Sequence, residues 1–231
     1  MSGVDEFRRR MGIPAQDNLA RAAEMAFAAV AGQSDQQLLW LGAQRLSGTG
    51  VPPVLGGDAP AKYPWHAAWQ LPVLGDLFHV DLPASRITTS AGREVGLPWA
   101  ILALHYLAIS ARPEPRPPQT TFAELATARS YSGVYHQRVI ARLCATAGRD
   151  AQTLSAAAGA LGGRRAEAGD LAFDFDVFPR LSLRLIWHAP DEEFPPSATL
   201  LMPENIEAYF SSEDIVVLSE RLVARLGGRP F

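Results

Sequence analysis

The chain has 231 residues, of which 48% are hydrophobic and 19% charged, and its formal net charge is -3. A chain of this length can bury a sizeable core without disulfide or metal staples. The charge balance lacks the clustered basic face of a nucleic-acid-binding protein, so no nucleic-acid partner is expected. The longest apolar stretch, residues 97–111, is too short to span a bilayer. With no secretory signal visible, we expect a cytoplasmic protein without a membrane partner.

The N-terminal half is predicted to begin with helices and to continue into strands. Residues 1–16 form a polar tail, and helical spacing predicts helices from Asp17 to Ala31 and from Ser34 to about Arg45. The connection from Ser47 to Pro64 is rich in glycine and proline, and loops of this length are usually functional or mobile. Three short apolar runs then predict an antiparallel meander, with strands at 69–73, 77–82 and 86–89.

The remaining predicted helices and strands occur in blocks. A helix is expected from Pro98 through Ile109, followed by a proline-rich connector, Arg112 to Pro118. Further helices are expected at 132–147, at 150–161 with Asp150 as N-cap, and at 212–226 with Ser212 as N-cap. Blocks of helices and strands that do not alternate strictly indicate an α+β fold. We expect a single domain over residues 17–228, with an antiparallel sheet of meander plus hairpin covered by helices.

The hairpin is predicted from two apolar/polar alternations, residues 171–178 and 181–188. The apolar faces must coincide, because a one-residue slip moves every side chain to the other face. A three-residue turn, 179–181, satisfies this and places Phe175 opposite Leu185 and Asp176 opposite Arg184. The other face then carries Asp174, Asp176, Arg184 and His188. This face is either a solvated ion pair or the floor of a polar pocket in which Arg184 grips an anion.

A proline-bracketed segment from Trp187 to Ser197 contains a histidine and three consecutive carboxylates. The simplest interpretation is a turn from Pro190 to Glu193, with Phe194 anchoring it in the core. A general acid–base role for Glu192 or Glu193 is an alternative, provided that burial raises a carboxylate pKa. The carboxylates could also bind a cation, although the spacing matches no recognised metal loop. We therefore expect no metal.

Polar residues within two predicted helices are further candidates. His105 and Tyr106 lie in an otherwise apolar helix, where a buried histidine needs a hydrogen-bond partner. Tyr135 and Arg138 share a helix face and either contact a ligand or pack against a neighbouring helix. Cys144, the one cysteine, lies in a helical context and is expected to be a buried small hydrophobe rather than a nucleophile.

Several of these segments together resemble an uncharacterised family, domain of unknown function 3786, over Asn18 to Leu226. The resemblance rests on Val80-Asp81-Leu82-Pro83, Leu102-Ala103-Leu104-His105-Tyr106-Leu107, Phe178-Pro179-Arg180, Trp187 through Pro195, and Tyr209 through Leu218. Members of that family occur in anaerobic and thermophilic bacteria and archaea, and some carry a four-cysteine iron–sulfur module like corrinoid-pathway proteins. Because this chain has only Cys144, no iron–sulfur cluster is expected.

The resemblance implies a shared pocket of His105, Tyr106, Arg184, Trp187, Asp191, Glu192 and Glu193. With the residues chosen from their own patterns, the candidate binding positions are His105, Tyr106, Tyr135, Arg138, Arg184, Trp187, His188, Asp191, Glu192 and Glu193. A binding protein or an enzyme requires such residues to converge on one concave pocket.

The favoured function is binding of a small molecule or cofactor. An accessory role in anaerobic one-carbon or corrinoid metabolism is implied by the resemblance alone. One alternative is an enzyme that uses Glu192 or Glu193 as acid–base, with His105 or His188 assisting. Another is a protein-interaction module that uses the Ser47–Pro64 loop and the Arg112–Pro118 connector.

Overall fold

The computed structural model describes residues 15–46, 68–115, 117–126 and 131–231; the predicted Ser47–Pro64 loop lies outside them. The α-helices are α1 (Ala15–Ala31), α2 (Asp35–Trp40), α3 (Leu97–Ala108), α4 (Ser132–Tyr135), α5 (Arg142–Ala145), α6 (Ala151–Ala160) and α7 (Ser212–Leu226), with a π-helix at His136–Ala141 between α4 and α5. The strands are β1 (Gln44–Arg45), β2 (Ala68–Val73), β3 (Asp76–Asp81), β4 (Arg86–Thr88), β5 (Gln119–Thr121), β6 (Arg164–Ala166), β7 (Leu171–Phe178), β8 (Leu181–His188) and β9 (Ser197–Pro203).

The strands form two antiparallel sheets. The predicted meander is confirmed as β2-β3-β4, and β1 extends it to the order β1-β2-β3-β4. The second sheet has the order β5-β9-β8-β7-β6, with the predicted hairpin β7–β8 inside it. The α+β prediction with antiparallel strands covered by helices is therefore confirmed, although the meander and the hairpin lie in separate sheets.

The predicted register of the hairpin is wrong by two residues. Asp174, not Asp176, pairs with Arg184, and Asp176 pairs with Ser182. Phe175 lies opposite Leu183 instead of Leu185. The turn has two residues rather than three, and the register shifts between Asp176 and Phe178, which adds a bulge. A shift of two residues keeps each side chain on its predicted face, because side chains alternate with a period of two.

Two helix boundaries also differ from the sequence prediction. Helix α2 stops at Trp40 rather than continuing to Arg45, because Gly42 adopts φ +87° and Gln44–Arg45 pair with β2 as a strand. Helix α7 is capped by Ser211 rather than Ser212: the Ser211 hydroxyl accepts from the Asp214 backbone N–H, and the Asp214 carboxylate accepts from Ser211 in return. This reciprocal capping box satisfies two terminal donors of the helix.

One continuous cluster of buried side chains joins both sheets to the helices. The inner face of β7 and β8 contributes Phe173, Phe175, Leu183, Leu185 and Trp187 to it. Helix α3 is apolar on nearly every face and packs between α1 and α7. Within the part of the chain that the structure describes, no helix is long and apolar enough to cross a membrane.

Candidate functional site

Three of the ten candidate residues contact the polar edge of α7. The first is His105, whose Nδ1 lies 3.0 Å from Asp214 Oδ1, so the histidine finds the partner that its apolar helix requires. The hydrogen bond to Asp214 raises the pKa of His105, against the opposing effect of burial. Burial works against ionisation of Asp214, but hydrogen bonds from His105 and Ser211 prevail and leave the pKa of Asp214 lowered.

Arg138 and Tyr135 reach the same helix further along. Arg138 donates from Nε and Nη2 to the two carboxylate oxygens of Glu220, at 2.7 and 2.9 Å. The Tyr135 hydroxyl donates to Ser219 Oγ at 3.1 Å in a buried position, and its ring stacks on Phe122. Both side chains therefore hold the π-helical region against α7, as the helix-packing alternative proposed.

Tyr106 is completely buried in an aromatic stack between Phe178 and Tyr209. Its hydroxyl donates to the Leu41 carbonyl at 2.7 Å and accepts from the Arg180 backbone N–H at 3.2 Å. Burial raises the pKa of Tyr106, so the phenol remains protonated and keeps its donor. Tyr106 thus joins α3 to the end of α2 and to the β7–β8 turn.

The candidates on β8 point to opposite faces of the second sheet. Trp187 is buried on the inner face and donates from Nε1 to the Gly148 carbonyl at 2.7 Å. Arg184 lies on the outer face and makes a bidentate pair with Asp174, at 2.7 and 2.9 Å. His188 is exposed beyond it, with Nδ1 3.9 Å from Asp170 Oδ2. The ten candidate residues therefore do not line one common pocket.

The acidic segment forms an ordered turn. Asp191 Oδ1 accepts from the backbone N–H groups of Glu193 and Phe194, at 2.8 and 2.7 Å, and these bonds lower the pKa of Asp191. Glu192 and Glu193 are exposed at the tip. The turn was predicted, but the anchoring of Phe194 in the core is wrong, because Phe194 is 66% exposed.

Phe194 instead forms part of the wall of a surface groove of about 610 Å³. One wall is helical and the other is the extended chain that leads into β9. We call this the π-helix groove, and its lining residues are His136, Ile140, Ala141, Cys144, Ala145, Phe194, Pro195, Pro196, Ser197 and Ala198.

The helical wall of the groove contains the π-helix His136–Ala141, where the sequence predicts an uninterrupted helix from 132 to 147. π-Helical turns are rare in proteins, and those that do occur are frequently found at functional sites. The apolar pattern of Val139 and Ile140 fits an α-helix equally well, so the sequence carries no signal for the π-turn. The position of Phe194 outside a strand did have a signal in the sequence, because two prolines follow it and proline does not continue a regular strand.

Few of the described residues that line the groove carry a polar side-chain group. His136 contributes an imidazole, Ser197 a hydroxyl and Cys144 a thiol. Burial raises the pKa of Cys144, which keeps the thiol protonated and makes it a poor nucleophile. Among the residues that the structure describes, no group of three or more His, Cys, Asp or Glu side chains could hold a metal ion. The groove therefore suits non-covalent binding of an apolar molecule with a few hydrogen bonds.

The His105–Asp214 pair predicts a pH-dependent contribution to stability. A raised histidine pKa stabilises the fold fully below the unfolded value of about 6.5, and this contribution is lost as pH rises through the folded pKa. The lowered pKa of Asp214 stabilises the fold above about pH 4 and is lost below it. In urea unfolding, His105→Gln should therefore cost more stability near pH 5.5 than near pH 8.5. A cost that is equal at both pH values, or no larger than that of the exposed control His188→Gln, would contradict this assignment.

These features define an α+β protein with two antiparallel sheets and a largely apolar groove beside a π-helical turn. A family model described as Domain of unknown function (DUF3786) matches residues 55–225, so the chain belongs to this family, as the sequence resemblance predicted. No curated protein and no solved structure matches the chain significantly.

Proposed function

We propose that this protein binds a small, largely apolar molecule in the π-helix groove. The observation that carries the proposal is the coincidence of the π-turn, His136–Ala141, with the wall of this groove. A π-turn breaks the regular hydrogen bonding of its helix, and such turns are frequent at functional sites.

The size and chemistry of the groove support this function. Its volume of about 610 Å³ falls within the range of small-molecule sites, about 300–1,000 Å³. Ile140, Ala141 and the two prolines offer apolar contacts. The imidazole of His136 and the hydroxyl of Ser197 can orient a ligand by hydrogen bonds.

The exposure of Phe194 is a second supporting feature. Phe194 is 66% exposed, and a ligand seated in the groove would remove part of this apolar surface from water. The hydrogen bonds of the Asp191 turn restrict its backbone, so the ring is held at the groove rather than on a free loop. The acidic turn thus contributes by positioning Phe194.

The acid–base alternative has less support. It requires a carboxylate whose pKa is raised by burial, but Glu192 and Glu193 are exposed to solvent. The interaction-module alternative relies partly on the Ser47–Pro64 loop, which lies outside the described residues. The association with corrinoid metabolism remains an implication of the sequence resemblance and can be tested together with ligand binding.

The test is a titration of the purified protein with Nile Red, an uncharged dye whose fluorescence rises in apolar surroundings. Ala145→Phe places a bulky ring in the groove, and we expect it to weaken dye binding by about tenfold or more. Ala156→Phe is the matched control, because Ala156 is also an exposed helical alanine but lies on α6, outside the groove. The affinity of the Ala156→Phe variant for Nile Red should equal that of the wild type.

Two results would contradict this function. One is the absence of saturable dye binding to the wild type, and the other is equal weakening by the two substitutions. Thermal melts of both variants establish that they are folded. Aquocobalamin, followed by its own visible absorption, tests the corrinoid link in the same three proteins: binding that Ala145→Phe abolishes would support it, and no binding would remove it.

A further inference from the structure

A second polar cluster lies where the β7–β8 turn meets the C-terminal end of α2, away from the π-helix groove. The Arg180 guanidinium carbon is 4.0 Å from the ring centre of Trp40, and that of Arg112 is 5.7 Å from the same ring centre. We call these two residues the arginine pair. Because both lie close to one indole ring, their charges are within about one Debye length, ~10 Å, of each other.

Each arginine is fixed through its Nε atom. Arg180 Nε donates to the Trp40 carbonyl, and Arg112 Nε donates to Gln37 Oε1 at 3.0 Å. Gln37 is itself buried, and its Nε2 donates to the carbonyls of Ile109 and Ala111, at 3.0 and 3.1 Å. These bonds use the Nε atom of each guanidinium, and among the described residues no hydrogen bond to a terminal Nη group of either arginine is present.

The arginine pair has no carboxylate partner within the part of the chain that the structure describes. No Asp or Glu oxygen of the described residues lies within 4.0 Å of either guanidinium, whereas five other arginines do have such partners: Arg45, Arg138, Arg149, Arg164 and Arg184. Arg180 lies over the Trp40 ring at 4.0 Å, which covers one face of its guanidinium but not the edges, where the N–H donors lie. Two neighbouring positive charges with open donors attract an anion.

We propose that Arg112 and Arg180, held on Trp40, bind the phosphate group of a small anionic ligand. Two fixed guanidiniums match the charge of a phosphate dianion, which carries about -1.5 to -2 near neutral pH and offers three acceptor oxygens. Arginine forks fit phosphate oxygens in a bidentate manner. This site uses none of the residues of the π-helix groove and is independent of the function proposed for it.

The test is isothermal titration of the full chain with inorganic phosphate, in a buffer without other polyvalent anions and at constant ionic strength. We expect saturable binding to the wild type. Arg112→Gln and Arg180→Gln should each weaken it about tenfold to a hundredfold, the loss typical of a charge-assisted hydrogen-bonded contact. Arg149→Gln, at an exposed arginine that is paired with Asp150, is the matched control and should leave the affinity unchanged.

Arg180→Lys distinguishes bidentate hydrogen bonding to phosphate from charge attraction alone, because lysine keeps the charge but cannot make the bidentate contact. It should weaken binding nearly as much as Arg180→Gln. Arg112→Gln keeps the test valid if changes at Arg180 disturb the turn. Three results would overturn the proposal: no saturation at tens of millimolar phosphate, equal affinity in Arg112→Gln and the wild type, or succinate binding as tightly as phosphate.

Discussion

Gly42→Ala should destabilise the protein by about 2–5 kcal/mol. Gly42 adopts φ +87°, which strains any residue with a Cβ atom. A Cβ at this position would also lie 2.8 Å from Pro179 Cγ and closer still to Pro179 Cβ. The proline ring is rigid and belongs to the β7–β8 turn, so relief of the overlap requires the turn to move away from the end of α2. Urea unfolding monitored by circular dichroism measures the loss.

Gly162→Ala separates the two causes of this loss. Gly162 has a similar conformation, φ +70°, but no atom lies within 4 Å of the position that a Cβ would take there. Its substitution should therefore cost only the backbone strain, about 1–2 kcal/mol. Equal losses in the two variants would show that the close approach of Gly42 to Pro179 contributes nothing to stability.

The same glycine, Gly42, shows why the sequence overestimates α2. Leu38, Leu39 and Leu41 suggest a helix that continues to Arg45, but Gly42 permits a left-handed turn that ends it. The strand pairing of Gln44 with Gln70 depends on a segment distant in sequence. Local periodicity cannot reveal such a partner, so the predicted helix extends over residues that are a short strand.

The local sequence pattern is sufficient to predict strand bounds where the strands follow one another directly along the chain. The meander strands match their predicted bounds to within one residue at each end, because alternation and turn residues define both their faces and their limits. The β7–β8 hairpin shows what alternation leaves open. Two registers that differ by two residues bury the same side chains, and only the turn length and the bulge near Val177 choose between them.

The candidate site was harder to predict than the fold. The sequence predicts that His105 needs a hydrogen-bond partner if buried, and it has one; Tyr106 and Trp187 also have partners, which were not predicted. These partners lie far away in the sequence. The sequence alone therefore does not distinguish a residue that stabilises the fold from one that binds a ligand. The π-helix groove depends on a helix and on the chain entering β9, and no single local motif contains both.

Tyr106→Phe is the sharpest test of this distinction, because it removes one oxygen and leaves the aromatic stack in place. Both partners of the hydroxyl are backbone groups, the Leu41 carbonyl and the Arg180 N–H. Each loses a hydrogen bond, at about 1–3 kcal/mol for a buried group; the bond to the Arg180 N–H is only partly buried, so this group lies at the low end of the range. We therefore expect a loss of about 2–4 kcal/mol in urea unfolding, with Nile Red binding in the folded state unchanged.

Tyr135→Phe is the matched control for Tyr106→Phe. Tyr135 is also buried and stacked, but its hydroxyl donates only to Ser219 Oγ, which has a second bond to the Ile215 carbonyl. Because that partner stays hydrogen-bonded, the loss should be smaller, about 0.5–1.5 kcal/mol. A Tyr106 variant no less stable than the Tyr135 variant would mean that the hydroxyl does not tie α3 to the β7–β8 turn. A loss of dye binding without a loss of stability would return Tyr106 to the ligand site that the sequence suggested.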